Sequence, residues 1–164
     1  FSENFSGENI PSLIEVFEWA SANKLAMNVE LKTDKLLYPG IEKKVISLIR
    51  QFQLENRIIL SSFNHNSIVE VKKLAPDLKR ALLFEGLPVD IISILAEKQE
   101  AGFHPDAQSL TKQLNMQAQE LGYLVRPWVA NTKEQILRLA DFGVDVIMTD
   151  YPEYALEILR NRKC

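Results

Sequence analysis

In the run Met27-Asn28-Val29-Glu30-Leu31-Lys32 an acid and a base stand two residues apart at the carboxyl end of an otherwise apolar segment. Side chains alternate across a strand, so Glu30 and Lys32 project to one face while Val29 and Leu31 project to the other. One element then offers a hard oxygen ligand and an ammonium to the same space, a pairing suited to a cation site or an anionic substrate. Two solvated charges on an amphipathic edge strand would read the same way, and the rest of the chain has to separate these possibilities. Other chemically able residues follow short β-rich runs: Ser61, Ser62 and Phe63 with Asn64 and His65, then Phe84 and Glu85, His104, Trp128 and Asn131, and Thr149 and Asp150. Glu30 is the candidate ligand for a hard cation, Lys32 the candidate point charge for a phosphoryl oxygen, and Trp128 either a flat apolar wall or a core aromatic. Asp150, just ahead of Tyr151-Pro152-Glu153, reads as the N-cap of the last helix. His65 and His104 are the only histidines, and neither stands at ligand spacing from another His or a Cys, which argues against zinc. His65 beside Asn64 and Asn66 reads as part of a helix cap, and His104 before Pro105 as a loop anchor.

These residues need elements to position them. Strands are predicted at 27–32, 57–63, 79–85, 102–106, 123–130 and 144–150, each followed by a helical pattern. Ile41, Val45, Leu48, Ile49 and Phe52 make one apolar stripe, and Ile136, Leu137, Leu139 and Ala140 another. Ser12/Glu15, Ser67/Glu70 and Thr132/Gln135 have capping-box spacing, the first opening a helix after Pro11 that runs through Ala22. Gly122 and Gly143 are placed to stop the helices ahead of the last two strands. The run at 144–148 is nearly continuous in apolar character, as expected for a parallel strand covered by helices. Regular strand–helix alternation means right-handed parallel βα units, about six of them. With 6 Gly and no GxGxxG or GxxxxGK loop, part of an eight-unit barrel is favoured over an open doubly wound sheet. In either architecture ligands bind outside the carboxyl ends of the strands, so the polar residues at those ends should converge.

The 164 residues, 46% hydrophobic and 25% charged, suit a single domain over 1–164. A net charge of -3 and a pI near 5.5 give no general attraction to nucleic acid or anionic lipid, so any phosphate binding must be local. No apolar run reaches the length of a membrane span. The lone Cys164 rules out an internal disulfide and fits a reducing, cytoplasmic setting.

Ile10-Pro11-Ser12-Leu13 with Glu15, Asn28 through Lys32, Leu60 through His65, Trp128-Val129-Ala130-Asn131, and Gly143-Val144-Asp145 through Thr149-Asp150-Tyr151-Pro152 resemble, in that order, the later part of a glycerophosphodiester phosphodiesterase. The resemblance covers nearly the whole chain and rests on five segments at matching intervals. It implies a TIM (β/α)8 barrel of the phospholipase C-like phosphodiesterase type, here its third to eighth units. The implied reaction is metal-dependent hydrolysis of glycerophosphodiesters to glycerol 3-phosphate and an alcohol, with Ca2+ or Mg2+ as the cation. Carried over, Glu30 binds the metal, Lys32 contacts phosphate, and Trp128, with Phe63, lines the substrate pocket. The family shows Trp-Thr-Val-Asn where this chain has Trp128-Val129-Ala130-Asn131, which puts polar contacts from position 129 in doubt.

The family's His-Arg-Gly strand, its Glu-x-Asp strand and its His-Asp pair have no match here. The expectation is therefore a chain that begins after them, with no catalytic histidine and about one of three protein metal ligands. His65 and His104 match neither catalytic motif. Without two units, the strands at 27–32 and 144–150 would be edges, to be met by the missing N-terminal segment or by a second copy. Two other readings stay open: a non-catalytic phosphate-binding barrel module, and another phosphate-handling barrel enzyme, such as an aldolase that works through a Schiff-base lysine.

Overall fold

The computed structural model describes residues 5–99 and 102–162; Phe1 and Cys164 lie outside them. Among the described residues the elements alternate as α1 (Leu13–Ser21), β1 (Met27–Glu30), α2 (Ile41–Gln51), β2 (Ile58–Ser62), α3 (His65–Leu74), β3 (Lys79–Phe84), α4 (Ile91–Lys98), β4 (Gly102–Pro105), α5 (Lys112–Glu120), β5 (Leu124–Val125), α6 (Lys133–Phe142) and α7 (Pro152–Arg160). The five strands form one parallel sheet in the order β1-β2-β3-β4-β5. A doubly wound sheet reverses strand order at a switch point, whereas here every strand adds to the same advancing edge, as in an arc of a barrel.

The register shows which face carries the helices. Val29 pairs with Leu60, Leu60 with Arg80, Leu82 with Phe103, and Phe103 with Val125, so these residues point to one side. That side is packed: Leu60 sits in a cluster with Phe17, Ile49 and Val71, and Leu82, Phe103 and Val125 sit in a second with Leu95, Ile136 and Leu139. Burying apolar side chains at roughly 25 cal/mol per Å2 is what holds this layer to the sheet. The alternate residues Asn28, Glu30, Ser61, Ala81, Leu83 and His104 face the other side, which carries no packed helix cluster among the described residues. Helices on one face alone again distinguish a barrel-type sheet from an open doubly wound one. β4 and β5 approach closely because residue 102 is glycine: a Cβ there would stand 2.6 Å from the Leu124 carbonyl oxygen.

Local signals explain most of the helix ends. The Ser12/Glu15 and Thr132/Gln135 capping boxes both form, and Gly143 closes α6 in the left-handed conformation at φ 75°. The Ser67/Glu70 expectation is corrected. Asn64 caps α3 by accepting from the Asn66 backbone N–H, three residues before Ser67, and Ser67 is already inside the helix. Its hydroxyl instead donates to Glu42 Oε1 at 2.6 Å and contacts Thr33 Oγ1 at 2.6 Å, fastening α3 to the loop after β1.

The expected strand at 144–150 does not form a ladder, so among the described residues the sheet has five strands, against the six or so that the sequence predicts. The segment still runs beside β5: the Asp145 N–H donates to the Val125 carbonyl, Met148 to Pro127, and Ala130 to Met148. Pro127 has no N–H to donate, which leaves the pairing discontinuous. Nor is the segment fully covered, since Val146 is 47% exposed.

Candidate active site

Parallel topology places every loop that follows a strand at one end of the sheet, and a cleft of about 810 Å3 opens there. Glu30 and Lys32 enter it from β1 and the residues after it, Phe63 from the end of β2, Glu85 from the end of β3, Trp128 from beyond β5, and Thr149 and Asp150 from the last segment. The convergence expected at the carboxyl ends is what the structure shows for these seven residues. It does not bring in the two histidines.

Alternation delivers Glu30 and Lys32 to the same space although β1 ends at Glu30. Leu31, between them, turns into the core, and its N–H continues the ladder to the Ser61 carbonyl at 2.8 Å. Lys32 Nζ lies 2.9 Å from Glu30 Oε1. The lysine side chain is 77% exposed and the glutamate 27%, so the pair adds little to stability and leaves an ammonium at the cleft mouth over a half-buried carboxylate. Asp34, Glu85 and Asp150 also face the cleft. Among the described residues, however, no group of three His, Cys, Asp or Glu side chains stands close enough to hold a metal ion. Glu30 can contribute one oxygen to a cation, and the described residues do not make a complete cation site of their own.

Trp128 is held as a wall. Its indole Nε1–H donates to the His104 carbonyl at 3.0 Å, and the Phe63 ring meets it edge-on with centroids 5.4 Å apart. The Trp128–Val129 peptide is cis. Ser62, buried behind Phe63, donates to the Leu31 carbonyl and accepts from the Asn64 N–H, tying the loop after β2 to the end of β1. The indole N–H anchors Trp128 while Phe63 braces it edge-on, and both residues line the cleft, an arrangement that suits the carbon skeleton of a small polar molecule.

Three expectations are corrected at this end of the sheet. Asp150 is not the N-cap of α7: Tyr151 occupies that position and no side chain caps the helix. The Asp150 carboxylate instead accepts from Asn131 Nδ2 at 2.7 Å. His65 is not the cap of α3, since Asn64 fills that place; its Nε2 bonds the Leu83 carbonyl at 3.0 Å and its ring packs edge-on to Phe84. His104 is not a loop residue but lies within β4 with its ring fully buried. Cleft residues absent from the sequence-based candidates include Asn28, Leu36, Tyr38 and Met148. Asn28 shares the parity of Glu30 and could have been found from it, whereas Leu36 and Tyr38 sit in an irregular loop where no periodicity applies.

Burial drives the His104 imidazole down to about 3, and the nearby Arg126 guanidinium pushes the same way. Neither ring nitrogen has a partner among the described residues. The histidine is therefore neutral when folded, and only the unfolded chain gains its proton as pH falls below about 6.5. Its contribution is complete above that value and is lost on acidification toward 3, by about 1.4 kcal/mol one unit below 6.5. Urea unfolding between pH 4 and 7 should show this slope, and His104→Leu should flatten it. An unchanged slope in the variant would assign the acid sensitivity elsewhere.

The model of the glycerophosphoryl diester phosphodiesterase family matches residues 1–154. A glycerophosphodiester phosphodiesterase from Caldanaerobacter subterraneus subsp. tengcongensis is 38% identical over 160 residues, covering 98% of this chain and 66% of that protein. The chain thus spans slightly less than two thirds of the length of such relatives. The structure of an Oleispira antarctica phosphodiesterase in complex with the product sn-glycerol-3-phosphate matches with a TM-score of 0.77 at 25% identity, covering 92% of this chain and 62% of that one. A Parabacteroides distasonis glycerophosphodiester phosphodiesterase shares the fold at a TM-score of 0.82 and 23% identity, over 93% of this chain and 65% of that one.

Proposed function

Because the chain belongs to the glycerophosphoryl diester phosphodiesterase family, we propose that it supplies the phosphate- and glycerol-binding part of an enzyme that hydrolyses glycerophosphodiesters. Water adds to phosphorus, the bond from phosphorus to the alcohol oxygen breaks, and the products are glycerol 3-phosphate and an alcohol. The observation that carries this reading is the meeting of Glu30, Lys32, Phe63 and Trp128 in one cleft at the carboxyl ends of the strands. Lys32 would lie against the phosphoryl oxygens, where its charge offsets the negative charge that builds as water adds. Phe63 and Trp128 would take the glycerol carbons. Neither histidine is offered as an acid or base, since His65 is bonded to a backbone carbonyl and His104 is buried.

In this reading the strands and the 144–150 segment are the third to eighth units of an eight-unit barrel. The proton-transferring histidines would come from units outside this sequence. A divalent cation, Ca2+ or Mg2+, belongs to the same reading, with Glu30 giving it one carboxylate oxygen and other groups completing the site. When bound, such an ion supplies positive charge to the phosphoryl oxygens.

The test uses the whole protein that contains this chain. Incubated with glycerophosphodiesters, it should release sn-glycerol 3-phosphate, stop on addition of a chelator, and recover with calcium or magnesium. No release with any divalent cation would overturn the activity. Release that survives the chelator would overturn the cation requirement alone.

A further inference from the structure

Asp150 and Trp128 both line the cleft, and the Asp150 carboxylate has a use other than the helix cap its sequence position suggests. One side chain organises it. Asn131 Nδ2 donates to Asp150 Oδ2 at 2.7 Å, and Asn131 Oδ1 accepts from both the Asp150 backbone N–H at 2.9 Å and Thr149 Oγ1–H at 3.1 Å. Asn131 is itself fixed, because its N–H donates to Gln135 Oε1 at 3.0 Å within the α6 capping box. The loop after β5, which carries Trp128, is thereby latched to the segment that carries Asp150 by three bonds to one amide group. The second carboxylate oxygen, Oδ1, takes no protein hydrogen bond among the described residues.

An oriented carboxylate oxygen in a cleft that also holds an aromatic wall has a definite chemical preference. Polyols present C–H faces that pack on an aromatic ring and hydroxyls that donate to a charged acceptor at its rim. Lys32 and Glu30 line the same cleft from β1 and the residues after it, so Asp150 and Trp128 together can take the alcohol end of a molecule whose anionic end meets the lysine. We propose that Asp150 accepts a hydrogen bond from a glycerol hydroxyl of the substrate and that Asn131 is the positioning residue that aims it. This rests on the glycerophosphodiester reading above and names two specificity residues within it.

Two probes that differ only in two hydroxyls, sn-glycerol 3-phosphate and n-propyl phosphate, separate this role from a structural one. Binding to the whole protein is measured by calorimetry. Asp150→Asn can still accept from Asn131 through its amide oxygen but turns a donor toward the cleft. It should weaken glycerol 3-phosphate binding roughly ten- to hundred-fold while changing propyl phosphate binding less than about twofold. Asn131→Ala should show the same selectivity with a smaller loss. Equal losses for both ligands, or no loss for either, would overturn the proposal, as would a wild-type protein that binds the two phosphates equally. Failure of the enzymatic reading is visible separately: a wild type that hydrolyses no glycerophosphodiester yet prefers glycerol 3-phosphate, with that preference lost in Asp150→Asn, supports the polyol subsite and overturns the hydrolysis.

Discussion

Glu30→Gln in the whole protein should lower glycerophosphodiester hydrolysis by roughly a hundred-fold or more while leaving the melting temperature nearly unchanged. The substitution keeps the shape of a side chain that is only partly buried, so the fold has little to lose. What goes is a formal charge at the end of β1, where the carboxylate both holds Lys32 at 2.9 Å and faces the cleft. Glutamine can still accept from the ammonium, but it offers a hard cation a much weaker oxygen. The measurement is turnover against calcium or magnesium concentration. Under the proposed role the variant needs far more cation and remains slow at saturation, whereas near-wild-type turnover at limiting cation would remove Glu30 from the site.

Much of this geometry could be read from local rules because the rules act within a few residues. Strand alternation carries Glu30 and Lys32 to one side, and the two capping boxes at Ser12 and Thr132 form where spacing puts them. The failures share a different cause. Ser67 has the spacing of a cap, but Asn64 stands closer to the turn, and Ser67 finds partners in Thr33 and Glu42 that lie 34 and 25 residues away. Asp150 precedes a helix with proline at its start, yet Asn131, 19 residues earlier, captures its carboxylate. Such competition is decided by the fold and leaves no trace in a short window of sequence. The segment at 144–150 fails for a related reason. Its apolar character predicts a covered strand, but a ladder needs a partner with N–H groups, and Pro127 interrupts the one it has. The misplaced histidines follow the same logic: proximity to Asn64 suggested a cap for His65, and only the register with Leu83 shows why His104 is buried within the sheet.

Lys32, after β1, and Trp128, after β5, line the same cleft, and their substitution should separate two kinds of binding energy. An ammonium at the phosphoryl oxygens is worth more once water has begun to add and negative charge has grown, so it acts mainly in the transition state. Lys32→Met, which keeps most of the length of the side chain and removes its charge, should therefore lower kcat by about a hundred-fold with a modest change in KM. The side chain is mostly exposed, so loss of stability would not account for the effect. In the proposed role, Trp128 would give the glycerol carbons the same contact before and during reaction. Trp128→Ala should raise KM about ten-fold or more and leave kcat less affected. Because the indole N–H is bonded to the His104 carbonyl and the ring packs on Phe63, Trp128→Ala also frees both neighbours. Trp128→Phe keeps the apolar wall without the N–H and should recover most of the KM. The alanine and lysine variants must give different kinetic signatures for these roles to stand; the same change in both parameters for both would mean that the cleft works as one unit, with neither residue reserved for phosphate or glycerol.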